Sequence, residues 1–111
     1  PTKWAGFLSW MPGAKKVIDV EMQPEKALNV LPDTQWLFCL DFNVLSRARN
    51  MEPVLSELNC TKILIDHHRE PQTEVFDYGI SDTGKSSTAE MIYDFIVNSG
   101  NAGKINTEIA E

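Results

Sequence analysis

Two short apolar runs, each ending on an aspartate, constrain the fold of this chain most. Residues 36–41 read Trp-Leu-Phe-Cys-Leu-Asp, and residues 62–66 read Lys-Ile-Leu-Ile-Asp. Continuous rather than alternating hydrophobicity predicts strands that are buried on both faces, as in a parallel sheet. Because ligands bind beyond the carboxyl ends of such strands, Asp41 and Asp66 are predicted to lie at a functional edge.

Stretches in which apolar residues have helical spacing lie before, between and after these runs. There are three such stretches, at 24–31, 51–59 and 87–99. Two further short strands are predicted at 16–20 and 74–78. Strands that alternate with helices predict a single α/β domain over residues 1–111, with a mainly parallel sheet flanked by helices.

Composition limits the classes of partner. A hydrophobic share of 42% in 111 residues gives one domain with a modest core. The formal net charge of −6 disfavours binding to extended duplex nucleic acid, although a divalent cation can supply local positive charge for a small phosphorylated substrate. No apolar run is long enough to span a bilayer and no signal-peptide layout is present, so we expect a cytoplasmic protein without a membrane partner. Cys39 and Cys60 are predicted to be buried, reduced thiols.

The segment Asp66-His67-His68 is the strongest candidate for chemistry. These are the two histidines of the chain, and they follow an acid at the end of a predicted strand. Imidazole and carboxylate groups are ligands for divalent transition metals. One histidine is expected to bind a metal while the other faces substrate. If the two acid-ended strands are neighbours, Asp41 meets His67 at one edge and offers the bridging carboxylate that a two-metal phosphoryl-transfer site needs.

Three segments carry a resemblance to a known family. Asp66-His67-His68 follows Ile-Leu-Ile, and Cys39-Leu40-Asp41 is followed by Arg47. Residues 86–93 read Ser-Ser-Thr-Ala-Glu-Met-Ile-Tyr. In order and spacing, residues 7–96 resemble the DHH phosphoesterases. The subgroup they resemble contains oligoribonucleases and 3′-phosphoadenosine-5′-phosphate phosphatases, some of which carry exopolyphosphatase-related labels.

The resemblance implies a role for each of these residues. Asp41 would bridge two metal ions, usually manganese, and His67 would ligate one of them. His68 would stabilise negative charge on the phosphate, and Asp66 would orient the histidine pair. Arg47 would support the site or contact a phosphate, with an ordinary surface salt bridge as the alternative.

The implied reaction is metal-dependent hydrolysis of short RNA or of a 3′-phosphorylated nucleotide, by a protein that is a possible homodimer. Pyrophosphate, polyphosphate and single-stranded DNA are the substrates of relatives with similar motifs. The family's upstream His-x-Asn-Pro-Asp-x-Asp-like motif, a downstream metal-binding aspartate and a substrate-binding domain are all missing from residues 1–111. We therefore expect a partial DHH domain that binds manganese weakly and hydrolyses nothing by itself.

Two other classes of function remain open. Residues 79–86 match the P-loop pattern G-x-x-x-x-G-K-[ST], which predicts a nucleotide-binding domain. Asp82 is an anion within that loop, and no convincing acid-ended strand follows it; Ser86 or Ser87 is better interpreted as a helix N-cap. The third class is a non-catalytic binding module. For that class Trp4, Phe7 and Trp10 would form an interaction patch, although such a cluster is more often core.

Overall fold

A three-stranded parallel sheet forms the centre of the computed structural model, which describes residues 5–111. Its strands are β1 (Trp36–Leu40), β2 (Thr61–Asp66) and β3 (Tyr78–Ser81), in the order β1-β2-β3. The central strand β2 pairs in parallel with both neighbours, so that Cys39 lies opposite Leu64 and Leu64 lies opposite Gly79. This topology confirms the predicted α/β fold with a parallel sheet.

Within the described residues there are four α-helices: α1 (Pro24–Val30), α2 (Glu52–Glu57), α3 (Thr88–Ile96) and α4 (Thr107–Ala110). Proline begins α1 because its missing N–H costs nothing in the first turn. Gly100, with a φ of 77°, ends the turn that follows α3 in the left-handed conformation that glycine adopts without strain. None of the helices within residues 5–111 is long and apolar enough to cross a lipid bilayer.

The two faces of the sheet are covered by different helical segments. On one face Cys39 and Leu64 pack in a buried cluster with residues of the 3₁₀ segment Leu45–Met51 and of α2. On the other face α3 packs against β2, and the ring of Phe95 meets that of Phe38 edge-on with centroids 6.2 Å apart. The prediction of strands buried on both faces is confirmed for β2, whose residues are all buried or half-buried. It is wrong for β1, where Trp36, Phe38 and Leu40 are 58%, 44% and 39% exposed.

Two of the predicted strands are wrong in part or in whole. Residues 17–19 have no regular structure, because the Asp19 carboxylate accepts hydrogen bonds from the N–H groups of Glu21 and Met22 and turns the chain. The strand predicted at 74–78 begins only at Tyr78. A 3₁₀ turn precedes it, and pairing with β2 starts where the N–H of Asp77 donates to the carbonyl of Lys62.

The predicted aromatic core cluster near the N-terminus is also wrong where the structure describes it. The side chains of Phe7 and Trp10 are 78% and 68% exposed. The 3₁₀ segment Gly6–Leu8 is a single turn that buries no residue, so apolar composition there does not produce packing. Trp4 lies outside the described residues.

Both cysteines are free thiols, as predicted, but only Cys39 is buried, whereas Cys60 is partly exposed. Burial raises the pKa of the Cys39 thiol to about 11. The nearby Cys60 adds to this shift, and the ammonium of Lys62 opposes it. Cys39 therefore stays protonated at pH values where an ordinary thiol ionises.

Iodoacetamide at pH 9 should modify Cys60 and leave Cys39 unmodified in the folded chain. With its pKa near 11, Cys39 is only about 1% thiolate at that pH, and the thiolate is the reactive form. Peptide mapping by mass spectrometry after a timed reaction measures the modified fraction of each cysteine. The same reaction in urea is the control in which both residues react. Equal modification of the two cysteines in the folded chain would contradict the burial of Cys39.

Candidate metal centre

The carboxyl ends of β1 and β2 bring together the acids and histidines identified from the sequence. Backbone pairing continues one residue beyond each strand. The N–H of Asp41 donates to the carbonyl of Ile65 at 3.2 Å, and the N–H of Asp82 donates to the carbonyl of Asp66 at 3.1 Å. The sheet ladder therefore fixes the position of Asp41 against the start of the Asp66-His67-His68 segment.

Asp41 occupies an unusual backbone conformation at this edge. Its φ of 64° is left-handed, a region in which aspartate is among the few tolerated non-glycine residues. The side chain is 66% exposed. Its Oδ1 accepts a hydrogen bond from the Thr88 hydroxyl at 3.0 Å and lies 3.6 Å from Nε2 of His67. The chain thus turns sharply after β1 and presents the carboxylate above the sheet edge.

The tautomer of His67 follows from one hydrogen bond. Its Nδ1 lies 3.3 Å from the backbone carbonyl oxygen of Lys85. Because a carbonyl oxygen only accepts, Nδ1 must carry the proton and donate it. The lone pair of the neutral ring is then on Nε2, the atom that faces Asp41. A histidine that donates one ring N–H to a backbone carbonyl and offers the other nitrogen is the usual arrangement of a metal ligand.

Asp66 contacts only one of the two histidines, His68. The Asp66 side chain is fully buried, and its Oδ1 lies 2.7 Å from Nδ1 of His68. Its Oδ2 accepts the backbone N–H of the same residue at 2.9 Å. The prediction that Asp66 orients both histidines is therefore only half right. Asp66 orients His68, whereas the backbone carbonyl of Lys85 orients His67. The Asp66 carboxylate is therefore engaged with His68 and is not exposed at the surface of the site.

Within the described residues 5–111, three residues offer metal ligands at this edge. One ligand atom each from Asp41, His67 and His68 lies within 4.8 Å of the others. The first two are the pair assigned to metal from the sequence, and the geometry adds His68 to them. One carboxylate and two imidazoles suit manganese, iron or zinc. These donors fit a divalent cation, but they are too few to enclose two.

A side-chain amide ties the two site loops together. Nδ2 of Asn43, in the loop after β1, donates to the carbonyl of Arg69 at 2.6 Å. The N–H of Gln72 returns a hydrogen bond to the carbonyl of Asn43 at 2.9 Å. Between these contacts Glu70 adopts a φ of 58°. The loop that follows the histidines is therefore held against the loop that carries Asp41.

The start of α3 supplies contacts that sequence reasoning missed. Ser87 caps the helix by accepting the N–H of Glu90, as the N-cap interpretation predicted. The carboxylate of Glu90 accepts from both the N–H and the hydroxyl of Ser86. This reciprocal capping fixes the turn that carries the Lys85 carbonyl and the Thr88 hydroxyl. The Ser-x-x-Glu spacing marks the helix start in the sequence, but it does not show that the start lies against Asp41.

Arg47 lies on the 3₁₀ segment Leu45–Met51 and is exposed. It borders, together with Asp41, an open cavity of about 770 Å³ whose other walls are mostly apolar. Within residues 5–111 its guanidinium forms no ion pair, so the surface salt bridge considered from the sequence is not present there. The structure thus places an unpaired cation beside the same cavity as the candidate ligand Asp41.

The residues of the P-loop pattern have other uses in the structure. Gly79 lies within β3, and a Cβ there would approach Cβ of Leu64 to 3.2 Å, so this glycine permits close strand packing. The N–H of Gly84, which a phosphate would need, donates to the Asp82 carboxylate at 2.8 Å. Nζ of Lys85 is 2.7 Å from a carboxylate oxygen of Asp94, and this contact is the main cause of its raised pKa. The backbone therefore forms no phosphate-binding loop at residues 79–86.

Comparisons with known proteins agree with this geometry. Residues 4–111 match the DHH family, N-terminal domain. The fold is similar to the crystal structure of an exopolyphosphatase-related protein from Bacteroides fragilis, with a TM-score of 0.91 and 33% sequence identity. The similarity covers 96% of this chain and 31% of that one, so the chain spans about a third of the length of the solved structure. No curated protein matches the chain.

Replacement of Asp66 by asparagine should lower the free energy of unfolding by about 1–3 kcal/mol. The amide has one acceptor oxygen, whereas the carboxylate satisfies two donors of His68, so one buried group loses its partner. Urea titration followed by circular dichroism measures the change. Asp82→Asn is the matched control, because its exposed carboxylate accepts one backbone N–H. Equal destabilisation by the two substitutions would show that the buried Asp66–His68 contacts add no more to the free energy of unfolding than one exposed hydrogen bond does.

Proposed function

The chain belongs to the DHH family of phosphoesterases, and on that premise we propose that it carries part of the active site of a metal-dependent phosphoesterase. The observation that supports this most directly is the meeting of Asp41, His67 and His68 within 4.8 Å at the carboxyl edge of a parallel sheet. Such an edge is where α/β proteins bind their ligands.

The proposed reaction is hydrolysis of a phosphate ester. Asp41 and Nε2 of His67 would hold a divalent cation, with manganese as the first candidate. Such a cation supplies charge stabilisation on the phosphoryl oxygens and activation of water. The chain's own contribution is to hold the two ligands in place through the Thr88 hydroxyl and the Lys85 carbonyl, so that little ordering is required when the cation binds.

His68 is proposed to contact the phosphate. Asp66 binds its Nδ1, which leaves Nε2 as the nitrogen available for a ligand. When protonated, the ring would donate a charge-assisted hydrogen bond to a phosphoryl oxygen, with the buried Asp66 carboxylate behind it. The edge-on contact with His67, whose ring centroid is 4.8 Å away, keeps the two rings side by side over one small area.

A nucleotide or short oligoribonucleotide is the proposed substrate class. Arg47 offers a cation for a phosphate at the rim of the 770 Å³ cavity, and the apolar walls suit a nucleobase. A polyphosphate has no apolar part to place there. It remains the second candidate, because the similar Bacteroides fragilis protein is described as exopolyphosphatase-related.

Further metal ligands are proposed to come from outside residues 1–111. A site with two cations about 4 Å apart needs more donors than the one carboxylate and two imidazoles assembled here. The solved structure with the same fold is about three times as long as this chain, which leaves ample sequence for them.

Asp41→Asn and His67→Ala should each reduce manganese-dependent hydrolysis by about 100-fold or more in the complete polypeptide, since each removes a proposed ligand. The assay follows release of products from a dinucleotide and from 3′-phosphoadenosine 5′-phosphate. Asp33→Asn is the matched control, because Asp33 is an exposed carboxylate in the turn before β1. Retention of activity by both ligand variants would refute the proposed site.

The 111-residue chain alone should bind manganese weakly and hydrolyse neither substrate, because its ligand set is incomplete. Calorimetric titration with MnCl₂ compares its affinity with that of the complete polypeptide under the same conditions. Robust manganese-dependent hydrolysis by the isolated chain would overturn the claim that other segments supply ligands.

A further inference from the structure

We propose that Thr88 is a positioning residue of the metal centre, whose hydroxyl holds the Asp41 carboxylate in the orientation that binds a cation. This inference rests on the proposed function, because it assigns a role in the same site. Thr88 is the first residue of α3, and its Oγ1 donates to Oδ1 of Asp41 at 3.0 Å. The two residues are 47 positions apart in the chain.

Burial makes Thr88 a rigid donor. The residue is only 6% exposed, and its branched Cβ restricts rotation about χ1. Asp41, by contrast, has a side chain that is 66% exposed. A hydrogen bond from a buried, rotationally restricted donor limits the orientations that the exposed carboxylate can adopt.

The Thr88 hydroxyl is not needed by its own helix. The N–H of Glu90 is capped by Ser87, and the Glu90 carboxylate is engaged with Ser86. Within residues 5–111 the hydrogen bond to Asp41 accounts for the Thr88 hydroxyl, which would otherwise be buried at a cost in free energy. We therefore infer that the hydroxyl at this buried position functions as the hydrogen-bond donor to Asp41.

Without Thr88 the Asp41 carboxylate would sample several rotamers in water, and a cation would have to select one of them. Thr88 occupies one lone pair of Oδ1, and the same oxygen lies 3.6 Å from Nε2 of His67. Oδ2 of Asp41 has no hydrogen-bond partner within residues 5–111, so it remains available to bind the cation. Ordering the carboxylate in advance reduces the entropy that binding must overcome.

Thr88→Val, which removes the hydroxyl and keeps the branched shape, tests this role in the complete polypeptide. We expect its affinity for Mn²⁺ to fall about 10–100-fold, the usual effect of losing a group that orients a metal ligand. Thr88→Ser retains the donor and should stay close to the unsubstituted protein. Thr107→Val is the matched control, since Thr107 is also the first residue of a capped helix, α4, but is exposed.

Calorimetric titration with MnCl₂ gives the affinities, and thermal unfolding in EDTA gives the stability of the metal-free variants. If Thr88→Val destabilises the metal-free protein, Thr88→Ala replaces it as the hydroxyl-free variant. Reduced Mn²⁺ affinity that serine rescues supports the proposal. Unchanged affinity in both hydroxyl-free variants overturns it and leaves the proposed function intact. Failure of the unsubstituted protein to bind Mn²⁺ overturns both.

Discussion

The central position of β2 is the constraint on which the rest of the structure depends. It pairs with β1 and β3 at once, and the pairing continues to the N–H groups of Asp41 and Asp82 beyond the ends of those strands. A shift of β2 by one residue would break both ladders and move Asp66 from its buried place. Sheet register therefore sets the position of Asp41 relative to Asp66, and the turn before α3 then orients the Asp41 and His67 side chains.

Much of the fold was predictable from the order of apolar runs and helical stretches along the chain. The continuous apolar runs identified β1 and β2, and the Asp-His-His segment at the end of β2 identified the candidate site. The meeting of Asp41 with His67 was predictable from the two acid-ended strands. The contacts that the start of α3 makes with this site were not predictable. Thr88 meets Asp41 across 47 residues, and the tautomer of His67 depends on a backbone carbonyl, which no side-chain pattern encodes. The same limit explains the wrong prediction for Phe7 and Trp10, which are exposed. Apolar side chains favour burial, but the sequence does not show which other residues pack against them.

Residues 79–86 illustrate how one short pattern serves different physical purposes. In a P-loop the glycines free backbone N–H groups for phosphate and the lysine reaches the ligand. Here Gly79 allows β3 to approach Leu64, while Lys85 pairs with Asp94 on α3. The carbonyl of that same lysine orients His67. The segment therefore contributes to the candidate metal centre through main-chain geometry, even though the nucleotide-binding interpretation of its side chains does not apply.

The separation in sequence between the candidate ligands has a thermodynamic consequence. Asp41 ends one strand and His67 follows another, so their ligand atoms come together only when β1 and β2 are paired. A cation held by both binds the folded chain in preference to the unfolded one, and each tenfold excess over its dissociation constant adds about 1.4 kcal/mol to the stability. The cation would thus act as a non-covalent cross-link between the strands, and removal of metal would lower the free energy of unfolding.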